Sequence, residues 1–186
     1  LSGYKKLNDN EAIAMELRYF SLGDITFTDI LGTTIGQYKP SEFALGTAYS
    51  RKLSDHFSLA IAGRYIYSNL TGGQTVGAGI PTVAGKSIAA DVAGYYQSPI
   101  RLGKQDVDIA IGFNLSNIGN KISYTETAVR DFIPINLRFG TSIGTDFDDY
   151  NKMSFAFDIN KLLVPTPPVY QGTGVDRHIV AGMDPD

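Results

Sequence analysis

The chain has 186 residues, a formal net charge of −3, 20 Gly, 11 Tyr, 10 Phe and neither Cys nor Trp, with 43% hydrophobic and 19% charged residues. That length allows one domain, and the lack of Cys excludes a disulfide scaffold, a thiol nucleophile and any cysteine metal site. An acidic balance without clustered Lys and Arg excludes a phosphate-neutralising nucleic-acid surface, and no run of about 18 apolar residues supplies a transmembrane helix.

Alternation with period two recurs along the chain and predicts strands. Over 14–29, Met15, Leu17, Tyr19, Ile25 and Phe27 oppose Glu16, Arg18, Asp24, Thr26 and Thr28, with Phe20 and Leu22 intruding on the polar face. Over 41–52, Phe43, Leu45 and Tyr49 oppose Glu42, Ala44, Gly46 and Ala48. The cleanest case is 56–68, where Phe57, Leu59, Ile61, Tyr65 and Tyr67 share one face and Ser58, Ala60, Ala62 and Arg64 the other. Over 87–99, Ile88, Ala90, Val92 and Tyr96 oppose Ala89, Asp91, Ala93 and Gln97, with Tyr95 breaking the rule. Val107 to Ser116, Ile135 to Ile143 and Met153 to Asn160 alternate likewise, giving seven strands.

The links between these strands alternate long and short: 30–40, 53–55, 69–86, 100–105, 119–133, 147–150 and 161 onward. Transmembrane barrels have this order, with tight periplasmic turns at one end and longer surface loops at the other. On that reading Asp55, Lys104 and Asp149 lie near the periplasm, while Gly72, Thr125 and Pro167 face outward. The polar face is made of small side chains with few charges, as in an enclosed lumen rather than a wet sheet face. The prediction is an all-β chain, a transmembrane antiparallel β-barrel in the bacterial outer membrane. Seven strands cannot close such a wall without leaving a backbone edge in lipid. Residues 1–186 are therefore expected to be part of a single barrel domain, with further strands and an export signal before Leu1.

Few residues suggest chemistry. The stretch Gly79 to Ser87 has five residues between its glycines where a phosphate loop has four, and reads as a surface loop. Of two Asn-x-Ser/Thr matches, the one starting at Asn114 lies inside a predicted strand. His56 and His178 lack ligand partners at metal spacing, and Asp146, Asp148, Asp149 and Asn151 lack the Gly and distal Glu of a helical calcium loop. No catalytic set, metal site or cofactor is predicted. Glu16, Arg18, Asp24, Arg64, Asp91, Asp108, Arg138 and Asp158 are the charges placed on the inward face, where they serve either a solute path or a salt-bridged filling of the barrel. Phe27, Tyr49, Tyr67, Tyr96 and Phe147 lie near strand ends and suit an aromatic girdle.

The stretches LRYFSLGDITFTD (17–29), SNIGNKISY (116–124), PINLRFG (134–140) and DINKLLVPTPP (158–168) together resemble the PorV family, also called LptO, outer-membrane proteins of the type IX secretion system that are similar to FadL fatty-acid transporters. The resemblance implies a FadL-like barrel of 14 strands, of which this chain is the C-terminal half. It implies a non-enzymatic role: binding the C-terminal signal domain of secreted cargo at the SprA (Sov) translocon and carrying it to the surface attachment complex. Partners are then that translocon, the cargo domains, the attachment complex and the lipid bilayer, with no nucleic acid. The long loops become candidate partner surfaces, with Gly72, Gly73, Lys121, Tyr124, Arg130, Pro165, Pro167 and Pro168 as candidate contact residues. Two other readings stand beside it. A FadL-like transporter of hydrophobic small molecules would use Phe20 and Leu22 as an apolar lumen patch, and a soluble β-sandwich would bury the apolar face under a second sheet.

Overall fold

The computed structural model describes residues 1–76, 80–103, 105–125, 130–148, 150–164, 166, 169–172 and 178–182. Eight strands form one antiparallel meander: β1 (Ser2–Asn8), β2 (Glu11–Ser21), β5 (Ser41–Lys52), β6 (Phe57–Asn69), β9 (Gly85–Leu102), β10 (Gln105–Gly119), β11 (Asn136–Asp146) and β12 (Lys152–Leu162). Three small two-stranded ribbons stand outside it: β3 (Ile25–Thr28) with β4 (Thr34–Tyr38), β7 (Thr75–Val76) with β8 (Ile80–Pro81), and β13 (Val169–Gln171) with β14 (His178–Ala181). No helix forms among the described residues.

The predicted alternation matches the ladder registers. Phe57, Ile61 and Tyr65 fall on the face of Phe43, Tyr49 and Val92, while Ala62, Arg64 and Asp91 fall on the other. Two expectations are corrected. Residues 14–29 are not one strand: β2 leaves the sheet after Ser21, and Gly23, at φ 82°, turns the chain so that Ile25–Thr28 pairs with β4 instead. A left-handed φ suits Gly and breaks the extended geometry that the alternation assumed. The sheet also has an eighth strand, β1, which the pattern reading missed. Its Lys5 and Lys6 obscure the alternation, although Lys5 pairs with Ile13 in regular register.

Each strand of the sheet touches only its ladder neighbours, so among the described strands no second sheet layer covers either face. A buried sandwich is thereby excluded for these strands. Among the described residues Ala89 and Val107 are the buried hydrophobic ones, whereas Ile61, Phe155 and Phe157 are 59%, 72% and 63% exposed. A compact protein of this mass would expose about 8,800 Å2 by the usual size scaling, yet this chain exposes 13,543 Å2. The excess is that of a single-layer sheet with both faces open, and a face of contiguous exposed aliphatic and aromatic side chains such as Ile61, Phe155 and Phe157 is suited to an apolar surrounding.

The strands are also staggered. One ladder row runs Ile13, Tyr49, Ile61, Val92, Leu115, Leu137 and Lys161. It starts near the short-turn end of β2 and finishes near the long-loop end of β12. Such stagger tilts the strands of a closed barrel. The sheet is a fragment of a β-barrel wall.

Candidate functional site

On the face opposite the apolar one, Arg64 of β6 sits at the centre of an ion-pair cluster. Its Nε donates to Glu16 Oε1 at 3.3 Å, Nη1 to Asn117 Oδ1 at 2.9 Å and Nη2 to Asp91 Oδ2 at 2.8 Å. Arg18 donates to the other Glu16 oxygen at 3.0 Å. The side chains of Arg64 and Asp91 are only 18% and 13% exposed, so these charges are held out of bulk water and satisfied by one another. Gly46 makes the geometry feasible, because it stands between Glu16 and Arg64 in the ladder and a Cβ there would lie 2.9 Å from Glu16 Cγ.

Asn117 is the member that the sequence reading missed. It adopts φ 61° at a bulge where the β10 to β9 register shifts between Leu115 and Ile118. Asn tolerates that conformation better than most residues. The bulge aims its N–H at Asp91 Oδ1 (2.8 Å) and its side-chain amide at both Arg64 and the Pro134 carbonyl. The available signal was the spacing: Leu115 and Ile118 share the apolar face but stand three residues apart, so an extra residue had to be accommodated.

Of the eight charges placed on this face, the structure brings together Glu16, Arg18, Arg64 and Asp91. Asp24 lies beyond Gly23 and outside the sheet, and Asp108 is exposed toward the turn end of β10. Arg138 and Asp158 line one shallow concavity of about 270 Å3 with Gly140, where the missing Cβ leaves room for the Asp158 carboxylate. None of these four forms an ion pair among the described residues. A second concavity of about 550 Å3 lies over Tyr4, Ala14, Ala48 and Ala62, with Glu16 and Arg64 also in its lining.

The long loops gather at one end and are tied together. Tyr38 of β4 donates to the Asn69 carbonyl at 2.9 Å, and its ring occupies the space that a Cβ on Gly72 would need. Gly72 and Gly73 have φ 64° and 79°, in a turn closed by Asn69 Oδ1 accepting from the Gly72 amide. Burial raises the Tyr38 hydroxyl pKa above the usual phenol value. The segment after β10 folds back over the inward ends of β6 and β9. Tyr124 donates to Ser68 Oγ at 3.0 Å, Ser68 in turn donates to Glu42 at 2.5 Å, and Ser87 Oγ donates to the Asn120 carbonyl. Val83 N–H donates to the Tyr124 carbonyl, and Thr82 and Ile122 form bridges with Thr125 and Asp131. Lys121 Nζ stands 4.4 Å from the centre of the Phe132 ring, and Arg130 is exposed beside it in the chain. Pro165, Pro167 and Pro168, like Gly79, Lys104 and Asp149, lie outside the described residues.

The remaining motifs are accounted for by local structure. Gly85, Lys86 and Ser87 open strand β9 rather than a helix, so they do not form a phosphate loop. His56 Nδ1 is 2.9 Å from the Gln97 carbonyl, and the Asp148 carboxylate accepts from the amides of Tyr150 and Asn151 and from the Asn151 side chain. Asp146 pairs with Lys152 across the strand ends. No group of His, Asp or Glu with metal-binding geometry occurs among the described residues.

A barrel-wall sheet with one bare apolar face, an ion-pair cluster on the opposite face and a crown of interlocked loops agrees with a family profile that matches the chain, described as Type IX secretion system protein PorV, over residues 1–169. No curated protein matches the chain. With the match spanning most of the sequence, the chain belongs to the PorV family and is a component of the type IX secretion system.

Proposed function

We propose that this chain is the lipid-embedded wall of an outer-membrane barrel that, without catalysis, receives the C-terminal signal domain of secreted cargo at the SprA (Sov) translocon and delivers it to the surface attachment complex. The apolar face is the bilayer contact, and the opposite face with its ion pairs lines the interior. The observation that carries the docking role is the tip of the β3 to β4 ribbon. Ile30 is fully exposed and Leu31 is 85% exposed, and their turn is closed by side-chain hydrogen bonds. Asp29 Oδ1 accepts from the amides of Leu31 and Thr33, both at 2.8 Å, and Gly32 takes φ 82°. Two adjacent aliphatic side chains exposed at a hydrogen-bonded loop tip have the character of an interface anchor.

The test is co-purification from detergent extracts of cells expressing full-length protein with I30S/L31S. Cargo and the large translocon barrel should be lost while heat-modifiable mobility shows that the barrel is still folded. Undiminished recovery of both partners would count against the docking role.

A transporter reading is favoured by one observation, the concavity over Tyr4, Ala14, Ala48 and Ala62, whose lining is mostly apolar and includes the Glu16–Arg64 ion pair. Saturable binding of a labelled fatty acid to delipidated full-length protein, abolished by bulky substitution of Ala48, would support it.

A further inference from the structure

Away from the ion-pair cluster, the face opposite the apolar one carries a hollow of about 270 Å3 across β9 to β12. One ladder row crosses it as Tyr95, Gly112, Gly140 and Asp158. Two directly paired glycines thus leave a gap between an aromatic ring and a carboxylate. Asn114 and Arg138, paired with each other, line one side, and Ala110, Ser142 and Ala156 line the other.

The two glycines differ in what they make room for. A Cβ on Gly140 would collide with the Asp158 carboxylate, so that side chain reaches back over β11. A Cβ on Gly112 would lie 3.8 Å from both the Gly94 carbonyl and the Tyr95 ring, which is ordinary contact. Nothing among the described residues therefore requires Gly112 to lack a side chain. Glycine inside a strand weakens it and marks places where a ligand approaches the backbone closely.

The charges at this hollow are not used by the fold either. Asp158 stands opposite Gly140, and Arg138 lies two residues along β11, so the two are diagonal neighbours within reach of long side chains. They nevertheless form no ion pair with each other or with any other described residue. Elsewhere on the same face Arg64 pairs with both Glu16 and Asp91. The Tyr95 hydroxyl donates to Gln97 Oε1 at 3.3 Å, which fixes its ring beside the hollow.

We infer that this hollow binds a small zwitterion carrying an ammonium and a carboxylate, of the size of an amino acid or a dipeptide. The ligand carboxylate takes the Arg138 guanidinium, whose paired donors match it. Its ammonium takes Asp158 and the electron-rich ring of Tyr95, and its body lies over Gly112. A simple anion would leave Asp158 against it and a simple cation would leave Arg138, so a zwitterion is the class that satisfies both charges. Sites for drug-sized ligands run about 300–1,000 Å3, and this smaller hollow limits the ligand accordingly. The site rests on the reading of this face as an enclosed interior, where charge recognition is stronger than in open water.

Isothermal titration calorimetry of the full-length protein in detergent tests this with alanyl-alanine and its N-acetylated and C-amidated forms. The free dipeptide should bind at least about tenfold more tightly than either blocked form, the loss expected for one charged contact. Arg138→Gln should weaken the free dipeptide by about that factor without weakening the amidated form, and Asp158→Asn should do so without weakening the acetylated form. Gly112→Val fills the hollow and should abolish binding, while Ala48→Val, over the other concavity of the same face, should not. Equal affinity for the three forms, no binding of the free dipeptide, or binding that survives Gly112→Val would overturn the site. A counter-charge supplied from elsewhere in the full-length wall would register as absent binding and count against it. Heat-modifiable mobility separates the two levels. A folded, detergent-requiring barrel that binds no dipeptide refutes the hollow alone, whereas folded protein recovered from aqueous buffer without detergent refutes the enclosed interior and the site with it.

Discussion

Ile61 stands in the middle of the apolar ladder row, between Tyr49 and Val92, and is 59% exposed with no second layer over it. If that face meets hydrocarbon, Ile61→Arg places a cation near the centre of the bilayer and costs about 2–4 kcal/mol. In a folding equilibrium this is about 30- to 900-fold. If that face met water instead, the same substitution would remove an exposed aliphatic group and cost well under about 1 kcal/mol. The companion is Ser154→Arg on the opposite face, across from Gly144, where an interior lined with polar groups tolerates the charge. Full-length variants refolded into phospholipid vesicles and unfolded with guanidinium, followed by heat-modifiable mobility, report the difference. Ile61→Arg should shift the midpoint strongly and Ser154→Arg little. Equal midpoints for the two variants, or a larger loss in Ser154→Arg, would refute the assignment of faces.

Further predictions follow from the inward wall and the loops. Arg64→Met leaves Asp91 and Glu16 facing each other without their shared cation, and should cost about 1–3 kcal/mol of vesicle-unfolding stability; no change would mean that water replaces the guanidinium fully. Gly85→Val should loosen the returning loop, because a Cβ at Gly85 would lie 2.8 Å from the Tyr124 ring and 2.9 Å from Ile122, whereas Gly63→Val meets open space. Limited proteolysis should then cut near residues 119–131 in the first variant and not in the second. The hydrogen bond from the Asn151 side chain, followed by the amides of Tyr150 and Asn151, holds the Asp148 pKa below the usual carboxylate value. Because the folded value is the lower one, the ordering of this turn is complete above the ordinary carboxylate pKa and is lost as pH falls through the folded value. Carbon NMR titration of Asp148 should show that low pKa, and Asn151→Ala should raise it.

Face assignment was legible in the sequence because a strand has a side-chain period of two. Phe57, Ile61, Ile109 and Phe155 were sorted from Arg64, Asp91 and Ala156 by parity alone, and the coordinates keep that sorting. The long and short links were legible as well, since turn residues punctuate the alternation. Parity fails where one residue is added or the backbone takes a left-handed φ. Gly23 diverted Ile25–Thr28 into a separate ribbon, and Asn117 reset β10 by one residue. Lys5 and Lys6 hid β1 because local composition outweighs a pattern over seven residues.

The amino-acid order by itself determined an all-β chain with one greasy and one small, sparsely charged face, and the blocks resembling PorV. Only the tertiary structure decided which charges meet. Glu16, Arg64, Asp91 and Asn117 come from four strands, and their meeting depends on ladder register and on a bulge, neither of which is encoded at any one position. The same holds for the loops: Tyr124 reaches Ser68 across 56 residues. That contact exists because neighbouring strands deliver their ends to one rim, a consequence of pairing rather than of local sequence.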